Sequence, residues 1–356
     1  MVRVISISQS QRDLKQFHQL AMDVHARPSN ISGERFSQLK KELFEAAFLG
    51  KQCVLLAYEG EEPVARVVAR LSPNLQDDEG RPYGLLGFFE SHDNSLAVKE
   101  LFDKAFEWFK EQGISTVAGP MRNAAWFSHR FNLGPYDSAP YLYEPYNPSY
   151  YPEMWEEYGF RATGDYYSRH IEDIGAQLDL LKLHHQKCLQ RGIRFRAMKP
   201  HKIHQELDLS HQIAKHAFES SPYFSNTHET IFSRQYTQLK SWVKKQLVHF
   251  AFDEKNNPIA FIYALPDYAK LNLAAKLSPG KLGKIDTVNV YTIAVKPQYQ
   301  RMGIASALTY LCYKNALKLG FHKANFCVMK EGNPMDKINH AAGTVFRRYR
   351  LYHRYI

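Results

Sequence analysis

Residues 300–305 combine residue types that together suit the binding of a phosphate group. They read QRMGIA and follow the apolar, β-branched run VNVYTIAV and a proline. If a helix begins here, its first N–H groups lack intrahelical partners and lie at the positive end of the helix dipole. Gly303 allows a ligand to approach the backbone closely, Ala305 keeps the next turn narrow, and Arg301 adds positive charge. Such a turn is suited to a pyrophosphate.

Two elements must hold this turn in place. The run DTVNVYTIAV (residues 286–295) has the composition of a strand. After the turn, the pattern predicts a helix from Gly303 to Leu319 that is stopped by Gly320. Apolar residues at helical spacing form the face that packs on a sheet, namely Ile304, Leu308, Leu311, Cys312 and Leu319.

Both halves of the chain show one order of elements. Each half reads as a strand, helices, a β-hairpin, a strand, a helix and a further strand. This order predicts a mixed α/β sheet in each half. Residues 172–192 read as a connecting helix between the halves.

The turn and its setting resemble the Q/R-x-x-G-x-G/A motif of the GNAT superfamily of N-acyltransferases. The resemblance covers the second half, including the hairpin before the turn and the stretch NPMDKINHAAG after it. In the first half, VAGPMRNAAWFSHRFNLGPYD and YNPSYYPEMWEEYGF resemble segments of bacterial two-module GNAT proteins, the YghO-like group. This resemblance implies an α/β fold, of the α+β type with a mixed sheet, in two tandem GNAT-like domains. Residues 1–171 would form a degenerate domain, 172–192 a connecting helix, and 193–356 the domain with the acyl-CoA motif.

The resemblance also implies a co-substrate, acetyl-CoA or another acyl-CoA, and no metal. Its pantetheine would lie along residues 286–295, and its pyrophosphate would meet the N–H groups of residues 301–305. The implied cofactor-binding residues are Ile293, Ala294, Val295, Gln300, Arg301, Met302, Gly303, Ile304, Ala305 and Asn333.

The expected chemistry is attack of an amine on a thioester, which requires a base for the ammonium group and a proton for the leaving thiolate. Many family members supply that proton from a tyrosine on the last helix, where this chain has Asn339 or His340. A surface or capping position is the preferred interpretation of His340 over an acid, and Tyr349 and Tyr352 are alternative donors, although tyrosines on a strand are more often packing residues. Asp267 and Glu90 are further candidates for the base. The catalytic residues that we predict are His340, Tyr291, Asp286 and Tyr352.

The first half departs from the family pattern at the equivalent helix start. It reads SHDNSLAVKEL, with Asp93 near the start and no glycine. An acidic side chain competes with a phosphate for the same N–H groups. We therefore expect the first domain to have no acyl-CoA site and to serve as a scaffold.

Composition limits the class of protein. The chain has 356 residues, a net charge of +10, four cysteines without C-x-x-C spacing, and no apolar run long enough to span a membrane. These features predict a cytoplasmic protein without disulfides, and the positive charge favours an acidic partner.

His184, His185 and Cys188 could form a metal cluster. The preferred interpretation is that they lie on different faces of the connecting helix and bind no metal. The stretch YDSAPYLYEPYNPSYYP could line a pocket or be an ordered loop that buries its rings.

The leading hypothesis is an acyl-CoA-dependent N-acyltransferase of the GNAT type that acts on a small-molecule or amino-acid-like amine by direct attack in a ternary complex. Two alternatives remain at this point: a transferase that uses aminoacyl-tRNA or an acyl carrier protein as donor, and a non-catalytic acyl-CoA-binding protein. The expected partner is the small amine, without a membrane or nucleic acid, and the sequence leaves a homodimer open.

Overall fold

The structure is a computed structural model that describes residues 1–8, 10–25, 36–44, 51–77, 79–122, 129–219, 242–268, 285–332 and 343–356. These residues form two compact units. The first comprises the described residues within 1–165 and 348–356, and the second comprises the described residues within 166–347. None of the described helices is long and apolar enough to cross a membrane.

The first half of the chain supplies seven strands and four α-helices to the described structure. They are β1 (Val2–Ser6), α1 (Gln11–Val24), α2 (Phe36–Phe44), β2 (Gln52–Glu59), β3 (Glu62–Gln76), β4 (Pro82–Ser91), α3 (Ser95–Glu111), β5 (Thr116–Gly119), β6 (Phe131–Asn132), α4 (Tyr151–Glu157) and β7 (Arg161–Ile171). Strands β1 to β5 lie side by side in chain order, antiparallel except for the parallel pair β4 and β5.

The second half continues with elements in nearly the same order. They are α5 (Leu178–Gln190), β8 (Arg194–Ala197), α6 (Ile203–Ala217), β9 (His249–Phe252), β10 (Pro258–Pro266), β11 (Thr287–Val295), α7 (Ile304–Lys318), β12 (Lys323–Lys330) and β13 (Thr344–Tyr355). Strands β8 to β12 lie side by side in chain order, and β11 and β12 form the parallel pair. The mixed α/β sheet and the repeated order of elements confirm the predicted fold class.

The greater part of the last strand of each half belongs to the other unit. Residues 352–355 of β13 pair with residues 116–119 of β5 in the first unit. Residues 166–171 of β7 pair with β12 in the second unit. The compact units therefore do not coincide with the stretches 1–171 and 193–356, because each unit takes its final strand from the other half of the chain.

One of two buried hydrophobic clusters of the first unit lies between its sheet and α3, and the other lies against α1 and α2. Helix α3 buries Leu101, Phe102 and Phe109 completely, at the i, i+1 and i+8 positions of one helical face. Trp155 of α4 lies with its ring centroid 5.3 Å from that of Phe102. Tyr352 of β13 belongs to the same buried cluster. The exchanged strand is thus part of the hydrophobic core and not an appended edge.

The tyrosine-rich stretch of residues 136–152 is an ordered loop in the first unit. Tyr141 and Tyr151 are buried. The hydroxyl groups of Tyr141 and Tyr349 lie 3.0 Å apart, and that of Tyr151 donates to Glu90 at 2.9 Å. Of the two interpretations of this stretch, these contacts favour the loop that buries its rings.

Candidate functional site

In the second unit, β11 leaves its neighbour β12 after a short parallel pairing. The two strands pair only through residues 287–290 and 323–326. Strand β11 continues beside β10 as far as Val295, while β12 continues beside β7. A register shift after Phe326, with Val328 at φ 52°, accompanies the change of direction in β12. A gap therefore opens along residues 291–295 of β11.

The backbone groups that face this gap follow from the pairing with β10. The N–H of Lys296 donates to the carbonyl of Ile259 at 2.9 Å, so Lys296 and Ala294 direct their polar groups towards β10. The intervening residues Ile293 and Val295 direct theirs to the opposite side, into the gap. Ile293 and Val295 are the residues that the sequence predicted to hold a pantetheine arm.

The turn that follows β11 presents a row of backbone donors. Helix α7 begins after Gly303, which has φ 83°, and Arg301 is also left-handed at φ 62°. Within the described structure, no acceptor contacts the N–H groups of residues 301–306, because the helical bonds begin with Ala307 donating to the Gly303 carbonyl. Consecutive N–H groups at a helix start form a site for an anion.

Helix α5, predicted as a connector, borders the same turn. A Cβ atom on Gly303 would lie 2.9 Å from Nδ1 of His184. Arg191 donates to the Met302 carbonyl at 3.3 Å, and Cys188 Sγ lies 3.7 Å from the same oxygen. The turn thus needs glycine for two reasons, the left-handed φ and the proximity of His184.

The three residues that a metal cluster on α5 would need, His184, His185 and Cys188, have separate surroundings. The ring of His185 lies 5.1 Å from the centroids of both Phe195 and Tyr310. Burial, followed by the charge of Lys314, lowers the pKa of His185. Burial raises the pKa of the Cys188 thiol, whose contact is the turn carbonyl described above.

Tyr291 lies at the irregular point of β11. The register between β10 and β11 shifts here, since Tyr263 pairs with Thr292 and Ala264 with Val290. Burial above all, and secondarily the neighbouring Cys327, raises the pKa of Tyr291 well above 10, so that its hydroxyl keeps its proton at neutral pH. Tyr291 is therefore suited to donate a proton and not to accept one.

Two other predicted catalytic residues lie apart from this gap. Asp286 precedes β11, about nine residues or roughly 30 Å along the strand from the turn. Its carboxylate accepts from the Thr287 hydroxyl at 2.7 Å and lies 3.6 Å from Lys323. Tyr352 belongs to the core of the first unit, where its hydroxyl donates to Glu156 at 2.8 Å. His340 and Asn333 lie outside the described residues.

Sequence reasoning missed three polar residues near the gap. Asn289 on β11, Asn325 on β12 and His170 on β7 are neighbours across the sheet. Asn325 donates to Asn289 at 2.8 Å, and its own amide oxygen lies 2.7 Å from Nδ1 of His170. A signal was present, because asparagine is rare in the middle of strands such as TVNVYTIAV and KANFCVM.

The equivalent gap in the first unit is filled by the chain itself. Strands β4 and β5 pair only at Gly84 and Leu85. The N–H of Met121 then donates to the Leu86 carbonyl at 2.7 Å, and a Cβ on Gly87 would lie 2.5 Å from the Met121 carbonyl oxygen. In the second unit, no described strand takes the corresponding place beside residues 291–295 of β11.

The helix start in the first unit is also closed. The side chain of Asn94 accepts from the N–H of Ala97 at 3.0 Å and caps α3. The sequence analysis predicted that Asp93 competes with a phosphate for the N–H groups at this helix start. In the structure the competing side chain is that of Asn94, the next residue. Glu90, another candidate base, contacts Nε2 of His25 at 2.8 Å.

Comparison with known proteins agrees with this geometry. Residues 212–336 match the family described as acetyltransferase (GNAT) family. Over 327 residues the chain is 22% identical to Protein YghO of Escherichia coli (strain K12). The aligned region covers 85% of this chain and 81% of YghO.

Solved structures show the same fold. A tandem GNAT protein from the clavulanic acid biosynthesis pathway has a TM-score of 0.56 at 9% identity, covering 100% of this chain and 98% of that chain. A GCN5-related glucosamine N-acetyltransferase region of a fungal multi-domain GH3 β-N-acetylglucosaminidase has a TM-score of 0.55 at 14% identity over 99% of this chain. The chain spans 38% of the length of that fungal protein. Residues 212–336, in the second half, therefore match the GNAT acetyltransferase family, and over most of its length the chain is similar to YghO.

Proposed function

We propose that the protein is an acyl-CoA-dependent N-acyltransferase whose donor site is the gap and turn of the second unit. The observation that carries this proposal is the row of N–H groups at residues 301–306, which has no acceptor among the described residues. It follows directly on a strand whose outward backbone groups at Ile293 and Val295 are bonded, among the described residues, only where Gln300 donates to the Val295 carbonyl. A diphosphate joined to an extended amide-containing arm, as in coenzyme A, matches that pair of features.

Different residues of the turn and of β11 bind different parts of the proposed donor. The N–H groups of residues 301–305 take the pyrophosphate, and the exposed side chain of Arg301 adds charge. Ile293 and Val295 bond the arm as an added strand would. Gln300 donates to the Val295 carbonyl at 3.2 Å and thereby links the turn to the end of β11.

The reaction that we propose is direct acyl transfer to an amine. An acyl thioester supplies an activated carbonyl carbon, and the amine must lose a proton before it attacks. Backbone N–H groups at the irregular point of β11 suit the oxyanion that forms. The name of one structural relative mentions AcCoA, which supports this donor, and that of another mentions a glucosamine N-acetyltransferase region, which supports a small amine as acceptor.

Acetyl-CoA should stabilise the protein against thermal unfolding. A hundredfold excess over Kd contributes about 2.7 kcal/mol, a shift of several degrees in Tm. Gly303→Glu should abolish this shift, because it places a carboxylate at the anion site and a side chain against His184. Differential scanning calorimetry with and without acetyl-CoA measures both.

Gly320→Glu is the matched control. Gly320 follows the same helix at φ 87°, and a Cβ added there would meet no atom within 4 Å, so the variant carries the same backbone strain without touching the turn. Its Tm should fall, while its response to acetyl-CoA stays intact. Equal responses in wild type and Gly303→Glu, or none in wild type at millimolar acetyl-CoA, would contradict the proposal. Release of CoA in the presence of a panel of amines then tests turnover.

A further inference from the structure

The sheet of the second unit carries a row of polar side chains on the face away from α7. Phe326 of β12 faces Tyr313 of α7, with ring centroids 6.5 Å apart, so the adjacent Asn325 faces the other side. Asn289, on the same face, donates to Asp267 at the end of β10 at 3.1 Å. The row therefore runs from Asp267 through Asn289 and Asn325 to His170 and crosses four strands. Asp267, Asn289 and Asn325 are buried.

This row has one hydrogen-bond direction, set by Asp267. A carboxylate only accepts, so the amide group of Asn289 must face it and the amide oxygen of Asn289 must face Asn325. Asn325 then directs its own oxygen at Nδ1 of His170, 2.7 Å away. Nδ1 must carry a hydrogen to complete the row.

The other end of the row is at the surface. Nε2 of His170 lies 2.9 Å from Glu172, whose carboxylate also contacts Lys323 at 2.5 Å. Asp286 lies 3.6 Å from Lys323, and the ring of Phe346 lies 6.4 Å from that of His170. The contact with Lys323, and then that with His170, lowers the pKa of Glu172.

The buried end of the row lies at the proposed reaction site. Nδ2 of Asn289 contacts both Asp267 and, at 3.5 Å, the hydroxyl of Tyr291. Tyr263 and Cys327 are the other titratable groups beside Tyr291. A carboxylate and a phenol that keeps its proton thus share one amide at the point where β11 turns away from β12. Such a pair can divide the roles of base and acid.

We propose that Asp267 accepts the proton of the acceptor ammonium and that Asn289, Asn325 and His170 are positioning residues that orient its carboxylate. This rests on the proposed N-acyltransferase function. One ammonium proton passes to Asp267, and the amine nitrogen forms a bond to the thioester carbon. The C–S bond breaks with its electron pair on sulfur. Tyr291 donates its proton to that sulfur and regains one from the nitrogen, and Asp267 releases its proton to solvent.

The direction of the row can be tested without any substrate. In wild-type protein labelled with ¹⁵N-histidine, NMR should show His170 with Nδ1 protonated. In Asp267→Asn the new amide can donate to Asn289, which lets every bond in the row reverse, so that Nδ1 of His170 accepts and carries no hydrogen while Nε2 still donates to Glu172. A wild-type His170 whose Nδ1 carries no hydrogen would overturn this hydrogen-bond direction.

The catalytic role is tested by turnover and its pH dependence. Asp267→Asn should lower kcat/KM about 10²–10⁴-fold while the acetyl-CoA shift in Tm remains. Asn325→Asp, which turns the Asn289 amide away from Asp267, should move the acidic limb of the kcat/KM profile by about half a pH unit or more. Asp103→Asn, an exposed change in the first unit, is the control and should leave kcat/KM unaltered.

Failure of this inference differs from failure of the proposed function. Turnover of Asp267→Asn within threefold of wild type, or an unmoved acidic limb in Asn325→Asp, overturns the role of the row and leaves the donor site standing. Absence of the acetyl-CoA shift in wild type overturns the donor site, and the NMR comparison still decides the direction of the row.

Discussion

Single residues in the second unit show how burial sets protonation. His249 on β9 is only 4% exposed, and its Nε2 lies 3.2 Å from the side-chain amide of Asn315. Burial lowers the pKa of His249 to about 4. The buried ring is therefore neutral at physiological pH and accepts a hydrogen bond from α7.

His249 should make the protein less stable in mild acid. The unfolded chain takes up a proton near pH 6.5 and the folded chain only near pH 4, so stability is complete above pH 6.5 and falls as the pH drops between these values. The loss through this group is about 3 kcal/mol. Urea unfolding at several pH values should show it, and His249→Gln, which keeps an acceptor for Asn315, should remove that part of the pH dependence. Identical pH dependence in both proteins would contradict the assignment.

The site residues differ in how far sequence could predict them. The turn at Gly303 was predictable because glycine, arginine and small residues next to each other have a local physical reason. The row of Asp267, Asn289, Asn325 and His170 was not, since it depends on which strands become neighbours. His170 comes from the end of the first half, 155 positions from its partner Asn325 in the chain.

At the scale of elements, two helices of the same type begin in opposite ways. Helix α3 has its N–H groups capped by Asn94, whereas α7 begins at Gly303 with no side-chain cap. Residues 119–122 close the first gap, whereas no described strand pairs with residues 291–295 of β11 on the side away from β10. The same order of elements therefore gives one unit whose helix start is satisfied internally and one whose helix start is available to a ligand.

Loss of the Asn94 cap should cost stability without creating a second donor site. Asn94→Ala removes the bond to Ala97 and should lower the free energy of unfolding by about 1 kcal/mol. Asn94→Asp retains an acceptor and should remain close to wild type in urea unfolding. Because backbone at Met121 still fills the gap, neither variant should gain acetyl-CoA binding by calorimetry beyond the single wild-type site. A second binding event in Asn94→Ala would contradict this account of the first unit.

The fold of the whole molecule was predictable in its elements and not in its final strands. Alternating and helical periodicities located the hairpins β2–β3 and β9–β10 and the helices α3 and α7, since these patterns are local. The exchange of β7 and β13 leaves no local trace, because a strand sequence shows which face is buried and not which neighbour it joins. The predicted boundary near residue 171 thus falls where one unit receives a strand from the other half.

Strand exchange predicts how the chain responds to being divided. A fragment of residues 1–171 lacks β13, whose Tyr349, Leu351 and Tyr352 are buried in the first unit. A fragment of residues 172–356 lacks the part of β7 that pairs with β12. Removing three buried side chains and an entire strand costs more than the roughly 5–15 kcal/mol that typically stabilises a domain. Each fragment alone should therefore show no cooperative thermal transition by circular dichroism, while the co-expressed pair should purify together and melt cooperatively.

The control is the full chain with a protease site inserted after Ile171, which is folded first and then cut. It should remain assembled, because both exchanged strands are already in place. Independent cooperative melting of either fragment would show that its unit does not need the strand from the other half.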